Sequence, residues 1–339
     1  MTKTKTTSSI LVGDIGGTNT RLRLADSRGK RILVESVFPS RDFASFEDVA
    51  RPFLASADAP HPKVAVVGIA GPVTNGVANV TNLPWVLDER ALARHLKIQR
   101  FVLKNDLVVV ARGCLAAKRD TLVMLSEKPP SPKGKNCAVV AAGTGLGEAK
   151  LLWDGEKHLA FATEGGHGDF APQSPLEIEA LAFSQGALPG SRELRARVIS
   201  GDGLGALYDF FASRGGREPA SVRKKLLEGD RNAAIAELGL AHAHRPASRA
   251  VDLFASLYGA EAGNMALREL SLGGLFLAGN IARNIVVARK EIFMDSFLRK
   301  GRFANLLRQV PVAVVTDPFV GVRGALAFAK DLVDPKRDD

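Results

Sequence analysis

Two short segments put glycines where apolar strands would otherwise continue. Val12–Asp26 reads VGDIGGTNTRLRLAD, and Cys137–Trp153 reads CAVVAAGTGLGEAKLLW. Glycine lacks Cβ, so a backbone turn built from it can bring amide N–H groups close to a ligand. Flanking Thr and Asn side chains extend such a turn into an anion-binding concavity. Gly16, Gly17, Thr18 and Asn19 form one candidate, and Gly143, Thr144 and Gly145 form the other. Neither matches GxxxxGK[ST], and no GxGxxG opens a helix after the first strand, so the P-loop and the dinucleotide fingerprint are excluded. A single glycine turn is most often only a hairpin turn. Two that close matched strand pairs point to phosphate held from two sides. Asp14, just before the first turn, could hold Mg²⁺ against those phosphates. It could equally be a turn carboxylate bonding nearby amides.

Further polar residues end apolar segments. In Lys104-Asn105-Asp106 the strand Arg100–Asp106 finishes on an amide and a carboxylate. Residues at the carboxyl edge of an open α/β sheet point into its ligand crevice. Asp106 could take a proton from a hydroxyl as its oxygen attacks phosphorus, with Asn105 orienting the same substrate. Asp106 could instead cap the helix starting near Leu107. Thr163–Pro172, TEGGHGDFAP, sets Glu164, His167 and Asp169 among glycines. Such a set suits a polyol, or forms a structural loop around a satisfied histidine. A zinc site would need ligands the sequence does not supply at suitable spacing. The apolar run Gly273–Asn284 contains Gly279-Asn280, a turn that can leave a flat gap for an adenine ring or be an ordinary Gly-Asn turn.

These residues need elements to hold them. Residues 10–25 alternate as strand, tight turn, strand, and Arg31–Ser40 continues as a strand. Ser45 opens a helix running to Ala57 despite Pro52. Lys63–Val73 reads as a buried strand with a Gly-Pro turn, Leu87–Leu96 as an amphipathic helix, and Leu107 onward as a helix. Ser126–Asn136, rich in Pro, Lys and Ser, is a loop. The remainder reads as mostly helical, apart from Gly273–Ala282, the strand Val310–Asp317 and a final helix from Gly321. No short tandem repeat is present. The twofold strand–glycine turn–strand unit predicts two related α/β domains sharing a cleft.

Composition narrows the class. The chain has 339 residues, 46% hydrophobic and 24% charged, as in an ordinary globular protein. No apolar run reaches the ~18 residues of a bilayer span, so no membrane association is expected. The N-terminus lacks the apolar stretch of a signal peptide. The two cysteines, Cys114 and Cys137, lie far apart, which fits a reducing cytoplasm rather than a disulfide scaffold. The formal charge of +10 is scattered, with its densest cluster, Ser221–Arg231, reading as a solvated helix face. A basic surface or attraction for an anionic substrate is preferred to nucleic-acid binding.

Taken in order, these motifs resemble the bacterial glucokinase family, within the sugar kinase, Hsp70 and actin superfamily. The likeness runs from LVGDIGGTNTRL through IAGPVTNGVANVTNLPW, KNDLVVVARG, AAGTGLGEA, TEGGHGDFAP, RVISGDGL and GNMALREL to GGLFLAGNIARN. The resemblance implies two actin/hexokinase-like (ribonuclease H-like) α/β domains with a cleft between them. It places residues 1–115 and 321–339 in a smaller domain and 116–320 in a larger one. It implies transfer of phosphate from ATP, with Mg²⁺, to the 6-hydroxyl of glucose. Asp106 is then the general base. Asn105, Glu164, His167 and, in VTNLPW, Asn82 contact sugar. Gly16–Thr18 with Asn19, and Gly143–Gly145, are the phosphate turns, and Gly279 and Asn280 border adenosine. The family's cysteine-rich zinc motif after ExGH is absent, as is an N-terminal DNA-binding helix pair, which places the chain in the zinc-free branch. Dimerisation is implied by the family only.

One position departs from the pattern. The family carries a further sugar-binding glutamate just before RV(L/I)SG, where this chain has Ala196. Glu193, three residues earlier, shares its face if the segment is helical and could partly replace it. A sugar hydroxyl left dry and poorly paired would weaken binding by about 1 to 3 kcal/mol. A kinase for another hexose or an amino sugar, and a non-catalytic sugar- or nucleotide-sensing homologue, therefore stand as alternatives. An actin- or Hsp70-like ATPase has no use for the ND and ExGH pair.

Overall fold

The computed structural model describes residues 8–187, 198–215 and 218–333. The chain divides into two compact units, Met1–Lys118 with Asp317–Asp339, and Arg119–Thr316.

The first unit is built on a five-stranded sheet. Its strands are β1 (Ser9–Ile15), β2 (Asn19–Asp26), β3 (Ile32–Pro39), β4 (Pro62–Ile69) and, after a short ribbon of β5 (Val77–Asn79) and β6 (Val86–Asp88), β7 (Arg100–Asn105). The spatial order is β3-β2-β1-β4-β7. β1, β2 and β3 pair antiparallel, whereas β4 lies parallel to both β1 and β7. β1 is apolar on both faces because both faces are covered. Leu11 and Ile15 join Leu22, Val67 and Ile69 under helix α1 (Phe46–Ser56) and helix α2 (Glu89–His95). Ile10 and Val12 join Val66, Val109, Val322 and Ala325 under helix α3 (Asp106–Leu115) and the C-terminal helix Val320–Val333. Ser45 caps α1 by accepting a bond from the Asp48 amide at 3.2 Å, and Asp48 and Glu47 sit favourably in the first turn.

The second unit repeats the plan. Its strands are β8 (Leu122–Met124), β9 (Cys137–Ala142), β10 (Leu146–Trp153), β11 (His158–Thr163), β12 (Gly274–Ala278) and β13 (Val312–Val315). They lie in the order β11-β10-β9-β12-β13-β8. β9, β10 and β11 are antiparallel, and β12 is parallel to β9 and β13. Strands β9 to β13 thus follow the same third-second-first-fourth-fifth order as the first sheet, with β8 added antiparallel at the far edge. The helices α4 (Pro175–Ala187), α5 (Gly201–Ala212), α6 (Ala220–Leu227), α7 (Arg231–Leu240), α8 (Arg245–Glu269) and α9 (Lys290–Leu298) supply the rest. Phe254, Tyr258, Phe293 and Phe297 are fully buried in their core. Each such aromatic contributes on the order of 2 to 3 kcal/mol by leaving water.

The alternation in the sequence foretells β1, β2, β9 and β10. Two expectations are corrected: β6 takes Leu87 and Asp88 from the helix read over Leu87–Leu96, and β11 is an edge strand where the remainder reads as mostly helical, while the short β5 and β8 lie in segments left unassigned. Among the described residues no helix is long and apolar enough to cross a membrane.

Candidate active site

In the first unit the candidate residues gather at the carboxyl ends of the parallel strands. β1 ends at Ile15 and passes into Gly16-Gly17-Thr18, closed by the Gly16 amide donating to the Asn19 carbonyl at 3.0 Å. The buried Ser40 anchors this turn: its hydroxyl donates to the Gly16 carbonyl at 2.8 Å, and its amide to Thr18 O at 2.9 Å. Neither glycine has positive φ. A Cβ built on Gly16 or Gly17 would meet its nearest atom only at 3.4 or 3.5 Å, an ordinary contact. Backbone angle and internal packing therefore leave the absence of side chains unexplained.

The neighbouring strand ends complete this half. The Ala70 amide donates to Ile15 O at 3.2 Å, and the Thr81 amide to Ala70 O at 2.9 Å. Asn82, exposed and held at φ 65°, lies beside Gly17, its Cβ 3.5 Å from where a Gly17 Cβ would sit. Its loop is tied down by buried Trp85, whose indole donates to Phe43 O at 3.1 Å. Asn105 Nδ2 donates to Gly71 O at 3.1 Å. Asn105 Oδ1 also caps α3, accepting from the Leu107 and Val108 amides at 2.9 and 3.3 Å. The cap is therefore Asn105, not Asp106, and the helix begins at Asp106. Asp106 is half-buried in the first turn, with Oδ1 accepting the Leu107 amide at 2.8 Å.

Asp14 lies directly across the strand pair from Arg21, in a row that continues through Gly68 to Lys104. The carboxylate rests on the first turn of the C-terminal helix: a Cβ on Gly321 would fall 2.9 Å from its Oδ2. Desolvation raises the Asp14 carboxyl above its ordinary range, and the Arg21 guanidinium partly opposes this. Among the described residues Asp14 accepts no hydrogen bond. A half-buried carboxylate short of hydrogen bonds fits a cation ligand. Among the described residues no cluster of three or more His, Cys, Asp or Glu could hold a metal. A magnesium ion at Asp14 would thus draw its remaining ligands from water and phosphate, which is that ion's usual habit.

The second unit gathers its own set where β9 and β12 end. The Gly143 amide donates to Gly145 O at 2.8 Å, closing the turn. Gly143 and Gly145 are exposed, have no positive φ, and a Cβ on either would meet nothing within 4 Å. Here too backbone angle and internal packing leave the absence of side chains unexplained. Buried Tyr258 fixes the strand behind the turn, donating to Val140 O at 3.1 Å and accepting from the Ala142 amide at 3.2 Å. The Gly201 amide, at the start of α5, donates to Gly143 O at 2.9 Å. Gly279, φ 92°, packs beside the Ala142 carbonyl, and the exposed Asn280 accepts through Oδ1 from Arg283. Arg283 in turn donates to Thr316 O at 3.2 Å.

Glu164 and His167 flank a single 3-10 turn, Gly165–His167, with Glu164 Oε2 3.6 Å from His167 Nε2. Both side chains are largely exposed, and Asp169 follows, also exposed. The turn lies on the first residues of β10: a Cβ on Gly166 would fall 1.9 Å from Leu146 O. The structure thus places Gly143–Gly145, Glu164, His167, Gly279 and Asn280 in one unit. It places Asp14, Gly16–Asn19, Asn82, Asn105 and Asp106 in the other. Glu193 and Ala196 lie outside the described residues. Ser40, Tyr258 and Arg283 escape the sequence reading, since a lone serine, tyrosine or arginine carries no motif.

A duplicated sheet of this order, each copy with a glycine turn between its first two strands, defines an actin/hexokinase-like α/β protein with the furnishings of a sugar phosphotransferase. Comparison narrows the class. The glucokinase family model matches residues 11–332. The glucokinase of Nostoc punctiforme is 35% identical over 346 residues, covering 95% of this chain and 99% of the relative. That of Caulobacter vibrioides is 33% identical, covering 93% of each. A crystal structure of glucokinase from an Antarctic psychrotroph superimposes with a TM-score of 0.81 at 27% identity, covering 96% of this chain and 99% of that one. A glucokinase of the ROK family from Streptomyces griseus, solved with glucose and AMPPNP, shares the fold at a TM-score of 0.65 and 19% identity, over 96% of this chain and 100% of that one. The chain belongs to the glucokinase family.

Proposed function

We propose that the protein transfers the terminal phosphoryl group of ATP to the 6-hydroxyl of glucose. Membership of the family makes it an ATP-dependent hexose kinase. The residue roles are supported by the geometry of each unit. One observation supports the assignment of the base: Asp106 stands half-buried at the head of α3, where β7 ends at the carboxyl edge of the parallel strands, next to Asn105. Asp106 accepts the proton of the acceptor hydroxyl as that oxygen bonds to phosphorus, while ADP leaves with the bridging electrons. Asn105 and Asn82 orient the sugar from the same unit, and Glu164 and His167 bind its other hydroxyls. Glu193, standing in for the family's glutamate that is Ala196 here, sets how well the remaining hydroxyls are held.

The amides of Gly16–Thr18 and Gly143–Gly145, with Asn19 and Thr144 beside them, stabilise charge on the phosphates. Gly279 and Asn280 border the adenosine. Mg²⁺ at Asp14 would neutralise phosphate charge. The two cysteines are buried and lie far apart in the chain, which supports a reducing, cytoplasmic setting. A homodimer is proposed on the family's precedent and is read directly by light scattering.

A second reading, a kinase for another hexose or amino sugar, is favoured by Ala196 alone. ADP release measured over a panel of glucose, glucosamine, mannose and fructose separates them. Glucose should give the highest kcat/KM. A higher value for another sugar would move the substrate, and sugar-dependent thermal stabilisation without ADP release would make the chain a sensor.

A further inference from the structure

The buried acid Glu148 lies directly beneath the Glu164–His167 turn. It sits in β10, three residues after Gly145, and its side chain is 1% exposed. A Cβ on Gly165 would fall 2.3 Å from Glu148 Oε2, so the Gly165 backbone rests on this carboxylate. Glu148 also grips the turn through its backbone. It pairs across the strands with Thr163, whose hydroxyl donates to Glu148 O at 3.5 Å and accepts from the Gly165 amide at 3.2 Å.

The carboxylate is itself held from below. Arg268 of α8 donates to Glu148 Oε2 at 3.0 Å and to Glu261 Oε1 at 2.7 Å. Glu261 is buried as well, and its second oxygen accepts from Asn264 Nδ2 at 3.0 Å. Asn264 passes the chain on to Lys300, which donates to its Oδ1 at 2.7 Å. Two buried carboxylates share one guanidinium that cannot lose its charge. Burying such ions is costly, and the Arg268 bond to Oε2 is what holds the Glu148 carboxylate in one place. What this one fixes is the floor under Gly165.

We propose that Glu148, held by Arg268 and Glu261, is a positioning residue that sets the placement of Glu164 and His167 and so the affinity for the sugar. The inference rests on the sugar-binding role proposed for those two residues. Shortening the acid by one methylene lowers the floor by about 1 Å, a displacement that weakens a set of converging hydrogen bonds without touching the phosphate turns.

The test uses the full-length chain and steady-state kinetics with glucose and ATP varied separately. Glu148→Asp is expected to raise the KM for glucose about tenfold, with kcat and the KM for ATP within about twofold. Glu148→Gln keeps the length of the side chain and is expected to restore the glucose KM to within about threefold of the parent. Gly165→Ala pushes the turn from above and should also raise the glucose KM. Combined with Glu148→Asp its effect should be smaller than the product of the two, because the withdrawn carboxylate makes room. A glucose KM unchanged in Glu148→Asp, equal changes in both KM values, or a multiplicative double variant would each overturn the proposal. If Glu148→Asp fails to fold, the comparison of Gly165→Ala with Glu148→Gln decides: a glucose KM raised by the first and spared by the second upholds it, and any other pattern overturns it. Glu164→Gln and His167→Asn with unaltered glucose KM would remove the parent assignment. A raised KM in those two beside a silent Glu148→Asp would remove only this inference.

Discussion

Asp14 is a carboxylate that folding removes from water. Its carboxyl is raised by desolvation, and only Arg21 opposes the shift. The folded chain therefore holds this proton more tightly than the unfolded one. The contribution to stability is full below about pH 4, the ordinary aspartate value, and is lost as pH rises through the raised folded value. Without magnesium and nucleotide, Asp14→Asn should flatten that part of the pH–stability curve and raise the melting temperature near neutrality. With both present, the variant should show a smaller ligand-induced rise in melting temperature than the parent. An unchanged pH profile, or an equal ligand-induced rise, would remove Asp14 from the metal site.

At the scale of elements, the turns depend on what lies behind them. Tyr258 of α8 holds β9 where it meets Gly143, bonding to Val140 O and the Ala142 amide. Tyr258→Phe leaves both buried groups short of a partner and should cost about 1 to 3 kcal/mol in chemical denaturation. A loss below about 0.5 kcal/mol would mean the strand end is held without it. This contact also marks what a sequence can and cannot disclose. The glycine turns, the ND pair and the EGGH turn are contiguous, so their chemistry shows in the order of residues. Tyr258 and Val140 are 118 positions apart, and only the folded sheet brings them together. Strand β11 escapes for another reason: as an edge strand with Leu159 and Phe161 exposed, it lacks the buried apolar run that reveals β1 and β9. Asp106 shows the reverse case: residue types leave capping and catalysis equal, and in the fold Asn105 is the cap while Asp106 also accepts the Leu107 amide, so kinetics decides between the two roles.

For the whole molecule, the duplication of the sheet distributes the chemistry. One unit carries Asp106, Asp14 and Gly16–Asn19, proposed as the base, the metal ligand and one phosphate turn. The other carries Gly143–Gly145, Gly279, Asn280, Glu164 and His167, proposed as the second phosphate turn, the adenosine turn and the sugar-binding pair. On that proposal, substitution of the base should separate turnover from nucleotide binding. The direct measurement is glucose-dependent ADP release by Asp106→Ala, taken beside the affinity of the same variant for ATP. Turnover should fall at least about a hundredfold, while the ATP dissociation constant stays within about threefold of the parent. Turnover within a few-fold of the parent would contradict the account, because the carboxylate at the head of α3 would then have no part in activating the hydroxyl.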